Sequence, residues 1–299
     1  MSWDIRASAL LKIIQAKIPM YQLWEIFTLI NIISMAIIAI IGACMGSFIN
    51  VIIFRLPVMM WQQCKTEAQH ILHLPDTSAP IKENLWRTSS CIHCQHKIAW
   101  QYNIPIISFI QLKGKCKYCK KAFSTQYFLV EILSMALCFA VFLSWGINLG
   151  ALGLYILGLG LMVLSVIDIR HYLLPDIIVI PLLWLGLLLN TIDTYVALNN
   201  ALWGAVLGYL FLWMTSMLFK YIRHQDGLGQ GDCKLLSAIG AWFGAIAIVP
   251  ITFIASLVAL LLFLWCKTQK IPFGAAISMA TICVIILVEK LLMHGVRLN

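Results

Sequence analysis

Residues 132–167 read ILSMALCFAVFLSWGINLGALGLYILGLGLMVLSVI, a run without a charged side chain that ends immediately before Asp168. A helix that spans a bilayer needs about 20 apolar residues. The run is therefore long enough for two short spans, and Gly146, Asn148 and Gly150 mark the turn between them. This stretch predicts a helical hairpin in a membrane.

Comparable uncharged runs lie on both sides of the hairpin. They cover residues 26–54, 177–192, 194–219, 235–266 and 271–288, and 235–266 is long enough for two helices broken near 244–250. The chain is 62% hydrophobic and only 11% charged, whereas soluble domains carry roughly 25% charged residues. The sequence thus predicts an all-α polytopic membrane protein with about eight transmembrane helices, with seven as the alternative count.

The runs divide the chain into four segments. Residues 1–25 form an amphipathic segment that we expect on the membrane surface, and 26–54 form the first transmembrane helix. That helix is too long for the core of a signal peptide, so we interpret it as a retained anchor. Residues 55–126 form a polar insert, and 127–299 form the main helical membrane domain.

Basic residues give the orientation in the membrane. Of 21 Lys and Arg, the N-terminal stretch holds only Arg6, Lys12 and Lys17. Ten others fall between the first two spans, at Arg55, Lys65, Lys82, Arg87, Lys97, Lys113, Lys115, Lys117, Lys120 and Lys121. Basic loops stay in the cytoplasm, so residues 54–126 are predicted to be cytoplasmic and the N-terminus periplasmic. The net charge of +9 is then explained by the basic cytoplasmic loops, so no nucleic-acid partner is needed to account for it. Membrane lipid is the expected surrounding of the helices.

The insert carries four of the ten cysteines in two C-x-x-C knuckles. The four are Cys91, Cys94, Cys116 and Cys119. This spacing is typical of a structural zinc site with four thiolates, like that of a zinc ribbon. Two disulfides are the alternative, although the cytoplasm is reducing. His93 and His96 are possible substitute ligands, and we interpret them as surface residues.

Two aspartates stand at the edges of apolar runs. Asp168 opens the stretch DIRHYLLPD, and Asp232 closes Gly229-Gln230-Gly231-Asp232, a G-x-G-D sequence. Acids at the edge of a membrane span usually mark function. Two carboxyl groups that meet can share one proton, so that one activates water while the other protonates a carbonyl oxygen. Gly229 and Gly231 would let a substrate backbone approach Asp232 closely.

Other interpretations of these acids stay open at this point. Each aspartate can be a solvated charge at a helix edge, paired with Arg170 or Lys234. Asp176, which follows Pro175, competes with Asp168 for the catalytic role, and it is equally a candidate helix N-cap.

Four blocks of sequence, in this order, resemble the type IV prepilin peptidase family. They are GSFINVIIFRLP at 46–57, the paired knuckles with NIPIIS at 103–108 and KGKC at 113–116, IDIRHYLLPD at 167–176, and DGLGQGDCKLL at 226–236 followed by GAW at 240–242. The resemblance extends from about residue 42 to residue 265.

The resemblance implies an intramembrane aspartyl protease of the G-x-G-D type in the bacterial inner membrane, with Asp168 and Asp232 as the catalytic pair. Its substrates would be prepilins and pseudopilins, cleaved after a basic leader at the cytoplasmic face. The family also methylates the new N-terminal residue with S-adenosylmethionine, an activity assigned to the N-terminal half. The residues that bind this cofactor are not identified from the sequence.

The chain departs from the family pattern at three places. Tyr102 stands where an acid is usual, the run 124–131 lacks an arginine and a proline, and Cys233 replaces an aromatic. These departures permit a protease without methyltransferase activity as one alternative. Eight spans with acids at the membrane edge also suit a proton- or ion-coupled transporter, and a membrane-anchored zinc module that acts as an assembly scaffold is a third alternative. Glu131, at a span edge, suits either substrate binding or helix packing.

Overall fold

The computed structural model describes residues 20–73, 90–91, 93–102, 104–225, 227–266 and 271–293. Within these ranges there are nine α-helices, one 3-10 turn at Trp100–Tyr102 and no strand, which confirms the all-α class. The helices are α1 Met20–Ile71, α2 Ile107–Gln111, α3 Gln126–Trp145, α4 Leu149–His171, α5 Asp176–Asn190, α6 Leu198–Arg223, α7 Gln230–Phe243, α8 Ala245–Cys266 and α9 Phe273–Met293.

The predicted hairpin is formed by α3 and α4. Gly146 ends α3 with a φ of 70°, a conformation that glycine adopts at little cost. The side chain of Asn148 then accepts a hydrogen bond of 2.7 Å from the backbone N–H of Ala151 and caps α4. The turn is thus where the sequence places it, although Gly150 already belongs to α4.

The second long run also divides into two helices. The break falls at Gly244, whose φ of 78° ends α7. Pro250, the far end of the predicted break, lies inside α8. As the sixth residue of α8, Pro250 lies beyond the first turn, and its missing N–H removes one helical hydrogen bond.

Within the described residues, five helices are long and apolar enough to cross a membrane: α1, α3, α4, α6 and α8. Asp176–Asn190 and Phe273–Ile285 are shorter apolar helices. The structure therefore fits a polytopic membrane protein, and the count of eight spans stays a prediction.

The first helix extends further than the sequence suggested. It continues through Pro57 to Ile71, so the beginning of the predicted 55–126 insert is helical. Most of the predicted amphipathic segment 1–25 lies outside the described residues.

Small residues let the helices of the membrane domain approach closely. A Cβ atom on Gly204 of α6 would lie only 2.2 Å from the carbonyl oxygen of Gly240 in α7. Likewise, a Cβ atom on Gly42 of α1 would lie 2.7 Å from Cα of Met135 in α3. Such contacts between backbones are typical of helix packing in membranes. The first contact fixes α7 against α6, and the second fixes α1 against α3.

Two buried polar side chains hold α7 against α5. The indole N–H of Trp242 donates to the carbonyl oxygen of Leu182 at 2.8 Å. The amide of Asn190 donates to the carbonyl oxygens of Ala241 and Trp242 at 2.9 and 3.0 Å. Buried polar groups are costly unless hydrogen-bonded, so these contacts specify the position of α7, the helix that carries Asp232.

Helix α4 connects the two hydrophobic clusters of the protein. Leu157 and Leu164 belong to the cluster formed with α5, α7, α8 and α9. Tyr155 and Ile167 belong to the cluster formed with α1 and α3. Because both faces of α4 are buried, its last turn, which contains Asp168, has a fixed position between the two halves.

Candidate active site

Asp168 lies in the last turn of α4 and is only 5% exposed. Its Oδ2 atom accepts a hydrogen bond of 2.9 Å from the backbone N–H of Ala275, and the backbone of Gly274 lies beside it and also stabilises its negative charge. Both residues lie in the first turn of α9. The carboxylate therefore caps the N-terminus of another helix, where unpaired N–H groups and the helix dipole stabilise negative charge.

Asp232 lies in the first turn of α7 and is 9% exposed. Its carboxyl group reaches back to the backbone of Gly229, the N-cap residue of the same helix, much as an acid does in a capping box. The negative charge of Asp168 acts on the Asp232 carboxyl group. The structure thus brings the two predicted acids into one electrostatic pair.

Leu174 packs between the two parts of the site. A Cβ atom on Gly231 would lie 2.9 Å from Cβ of Leu174, and one on Gly274 would lie 2.7 Å from its Cδ1. The Gly274 methyl would also lie 3.1 Å from Oδ2 of Asp168. Gly231 therefore makes room for Leu174 between α7 and α9. Gly229 is exposed at the start of α7, and the proposed approach of a substrate to these glycines stays a prediction.

The basic residues next to the aspartates have other partners. Lys234 forms a salt bridge of 2.6 Å with Asp176. Arg170 lies over the ring of Phe54 at 5.0 Å. Among the ion pairs of the described residues, none involves Asp168 or Asp232. Both carboxyl groups are buried, and within the described ranges no cation is paired with either, in contrast to solvated helix-edge charges.

Asp176 is placed differently from the buried pair. It is the first residue of α5, Pro175 occupies the N-cap position, and the Asp176 side chain is 50% exposed in its salt bridge. Asp176 is therefore not the N-cap, and its surroundings are those of a surface charge.

The four cysteines of the insert form one cluster. Their Sγ atoms all lie within 4.8 Å of one another, with Cys91 3.8 Å from Cys119 and Cys94 4.0 Å from Cys116. Four thiolates at about 2.3 Å from a tetrahedral metal ion are about 3.8 Å apart. Bonded disulfide sulfurs would be about 2.05 Å apart. The arrangement therefore fits a metal ion held by four thiolates and does not fit two disulfides.

The two knuckles have the same backbone conformation. The N–H of Gln95 donates to the carbonyl oxygen of Cys91 at 2.8 Å, and the N–H of Lys120 donates to that of Cys116 at 2.9 Å. Gln95 and Lys120 both have positive φ, 53° and 57°. His93 and His96 are exposed and do not belong to the cysteine cluster.

The ionisation of the thiols also favours a cation at this cluster. Burial raises the pKa of Cys91, but hydrogen bonds from the backbone of Cys94 and His93 outweigh it, and the pKa is lowered to about 7. A backbone hydrogen bond from His96 lowers the pKa of Cys94, yet burial and the neighbouring sulfurs raise it to about 11. One thiolate thus makes the next harder to form, and a bound cation would remove that repulsion.

A separate cavity of about 520 Å³ lies between α1, the insert and the start of α3. Glu131, which is 8% exposed, lies on its wall. Its Oε2 atom accepts a hydrogen bond of 2.8 Å from the backbone N–H of Ile106, a residue held at a φ of 62°. Glu131 therefore fixes the insert against α3, and it also faces the cavity.

The sequence did not point to several residues of these sites. Gly274 and Ala275, which bind Asp168, lie 106 and 107 positions away in the chain, and only the start of an apolar run after Pro272 hinted at a helix N-terminus there. Leu174, which packs between Gly231 and Gly274, and Asn50, which lines the cavity, looked like ordinary members of the quoted blocks. Backbone donors leave no trace in residue type, so pattern analysis cannot single them out.

Comparison with models of known protein families identifies the class to which this protein belongs. Residues 40–145 match the model of the bacterial peptidase A24 N-terminal domain, and residues 155–264 match that of the type IV leader peptidase family. The first range contains the cysteine cluster and the cavity, and the second contains Asp168 and Asp232. No solved structure matches the chain.

Curated relatives then define the family. A prepilin leader peptidase/N-methyltransferase of Stutzerimonas stutzeri is 42% identical over 81% of this chain and 86% of its own length. Proteins of the same name from Pectobacterium carotovorum (42% identical over 78% of this chain and 84% of the relative) and Pseudomonas aeruginosa (41% over 73% and 75%) are similar. The chain therefore belongs to the prepilin leader peptidase/N-methyltransferase family, as the motifs suggested.

Proposed function

We propose that this chain removes the leader peptides of prepilins and pseudopilins and then methylates the new N-terminal amine. The burial of Asp168 and Asp232 as an interacting pair, with no cation paired to either in the part of the chain that the structure describes, is the observation that carries the peptidase proposal. The names of the relatives, which contain both activities, support the bifunctional enzyme over a protease alone. The names of the relatives also argue against a transporter.

The surroundings of the two acids support different roles. Asp168 accepts a hydrogen bond from the Ala275 N–H and is also stabilised by the Gly274 backbone at the start of α9, so it is the better site for the negative charge. Asp232 is buried beside that charge and is stabilised by the backbone of Gly229. Asp168 is then the base, and Asp232 holds the proton.

Cleavage follows from this division of roles. Asp168 takes a proton from water as the water oxygen bonds to the scissile carbonyl carbon, while Asp232 gives its proton to the carbonyl oxygen. The aspartates then return a proton to the leaving nitrogen as the C–N bond breaks. The products are a free leader carboxylate and a mature N-terminal amine.

Methylation requires S-adenosylmethionine, which would supply an electrophilic methyl group: the lone pair of the amine would take the methyl as its bond to sulfur breaks, S-adenosylhomocysteine would leave, and the amine would release a proton. Zinc at the four cysteines is the structural metal, because tetrahedral thiolate sites favour it and the insert has little core of its own. We place the enzyme in the inner membrane, with the insert and both aspartates on the cytoplasmic side, because the insert is basic.

The test is to incubate the purified enzyme with a prepilin and measure product masses for the parent, Asp168→Asn and Asp232→Asn. We expect the parent to remove the leader and both variants to lose at least about 10³-fold in rate, because each lacks one partner in proton transfer. Asp176→Asn is the matched control, since it changes a nearby exposed acid. Cleavage that survives in Asp168→Asn or Asp232→Asn would refute the assigned pair.

A further inference from the structure

Each carboxyl group of the proposed pair takes its position from the start of a helix. Asp232 belongs to the first turn of α7. Asp168 lies at the end of α4, but its Oδ2 atom is held at 2.9 Å by the backbone N–H of Ala275 in the first turn of α9. The separation of the two carboxyl groups therefore depends on how far the start of α7 lies from the start of α9.

One side chain contacts both of these helix starts. Leu174 is half-buried and packs against the larger hydrophobic cluster. A Cβ atom on Gly231, the neighbour of Asp232, would lie 2.9 Å from Cβ of Leu174. A Cβ atom on Gly274, the neighbour of Ala275, would lie 2.7 and 2.9 Å from its two Cδ atoms. Because real Cβ atoms almost never come closer than 3.0 Å, Leu174 leaves no room for a methyl group on either side.

The backbone around Leu174 is itself held in place. Leu174 lies in the short link 172–175 between α4 and α5. Tyr172 begins the link in the left-handed conformation, with a φ of 52°, and its N–H donates to the carbonyl oxygen of Asp168 at 2.9 Å. Pro175 ends the link as the buried N-cap of α5, and its ring restricts the backbone further. Leu174 therefore has little freedom to withdraw from the two helix starts.

We infer that Leu174 is a positioning residue of the peptidase site, and that its side chain sets the separation of Asp168 from Asp232 by spacing α7 from α9. The inference rests on the proposed peptidase function and adds to it a residue that has no proton to transfer. Leu174 acts on the reaction only through the placement of the two carboxyl groups. This placement matters because both groups must reach the same water and the same scissile carbonyl group.

The first test shortens Leu174 and then restores its volume, with leader cleavage by the full chain measured across a range of prepilin concentrations. Leu174→Ala removes the Cγ and Cδ atoms, and we expect kcat to fall about 30- to 100-fold, the effect of a misplacement of about 1 Å. KM should stay within threefold, because the carboxyl positions affect the transition state more than substrate binding. Leu174→Met conserves the volume and should keep kcat within threefold of the parent.

Leu137→Ala is the matched control for this test. Leu137 is also half-buried and also packs against a glycine, Gly158, but at the interface between α3 and α4. We expect a similar loss of thermal stability with kcat within threefold of the parent. Leu174→Val, which shortens the side chain less, should have a kcat between those of Leu174→Ala and the parent, and it replaces Leu174→Ala in the comparison if that variant does not fold.

The second test combines the leucine and glycine substitutions. The methyl group of Gly274→Ala meets the Cδ atoms of Leu174, which Leu174→Ala removes, so the double variant should be no slower than the slower of the two single variants. The methyl group of Gly231→Ala meets Cβ of Leu174 most closely, and alanine keeps this atom. The combination of Gly231→Ala with Leu174→Ala should therefore remain at least tenfold slower than Leu174→Ala alone, because the contact that displaces α7 persists.

The outcomes separate the inference from the function on which it rests. A selective loss of kcat in Leu174→Ala, its recovery in Leu174→Met and compensation for Gly274→Ala but not for Gly231→Ala support the inference. A kcat of Leu174→Ala within threefold of that of Leu137→Ala overturns it, as does a change confined to KM, which would make Leu174 a substrate contact. In both cases cleavage by the parent leaves the proposed function standing. A parent that does not cleave prepilins refutes the peptidase function itself.

Discussion

Gly274 is the residue through which the arrangement around Asp168 can be perturbed without substituting either acid. It lies in the first turn of α9, next to the Ala275 N–H that binds Asp168. In Gly274→Ala the new methyl group would lie 2.7 and 2.9 Å from the Cδ atoms of Leu174 and 3.1 Å from Oδ2 of Asp168. Ordinary contacts begin at 3.4 Å. Leu174 must therefore move by about 0.7 Å, or α9 must shift away from α4.

We expect Gly274→Ala to lower the rate of leader cleavage as well as the stability of the fold. Overpacking of this kind costs about 1–3 kcal/mol of folding free energy. Misplacement of a catalytic group by about 1 Å can cost about 100-fold in rate. We therefore expect kcat/KM for leader cleavage to fall about 30- to 100-fold, which corresponds to about 2–3 kcal/mol of transition-state stabilisation.

Gly158→Ala is the matched control for this experiment. Its methyl group would lie 2.6 Å from Cδ2 of Leu137, another partly buried leucine, but at the interface between α4 and α3. Both variants are assayed for thermal unfolding and for cleavage of one prepilin across a range of concentrations. Similar losses of stability with a selective loss of cleavage in Gly274→Ala support the geometry. Cleavage by Gly274→Ala within threefold of that by Gly158→Ala would refute it.

The metal site and the exposed acid lead to two further expectations. Metal analysis of the purified protein should find one zinc per chain, and Cys119→Ser should lose that zinc and unfold at lower temperature because the insert depends on the metal. The control Cys64→Ser, which changes an exposed cysteine outside the cluster, should retain the zinc. Disulfides in place of zinc would contradict the site. Asp176→Asn should lower the free energy of unfolding by at most about 1 kcal/mol, because its salt bridge with Lys234 is exposed, and should leave cleavage within twofold. A loss of cleavage as large as in Asp168→Asn would return Asp176 to the catalytic role.

The residue types alone determined much of the fold of this protein and the choice of its candidate site residues. Long uncharged runs cannot remain in water, so 132–167 had to form buried or membrane helices, and Gly146 and Asn148 set their turn by local conformational preference. The spacing of the four cysteines predicted their meeting, because each C-x-x-C knuckle places two sulfurs on one side of a tight turn. The choice of Asp168 and Asp232 came from motifs, and it stays a prediction for their catalytic role.

The tertiary structure decided what surrounds those residues. The sequence offered Arg170 and Lys234 as partners for the aspartates, yet Lys234 binds Asp176 and Arg170 lies over Phe54. The donors to Asp168 are backbone N–H groups more than a hundred residues away. The cavity beside the cysteine cluster likewise arises only when α1, α3 and the insert meet. Local patterns specify helices and turns because those depend on neighbouring residues, whereas burial, pairing and backbone donors depend on how distant helices pack.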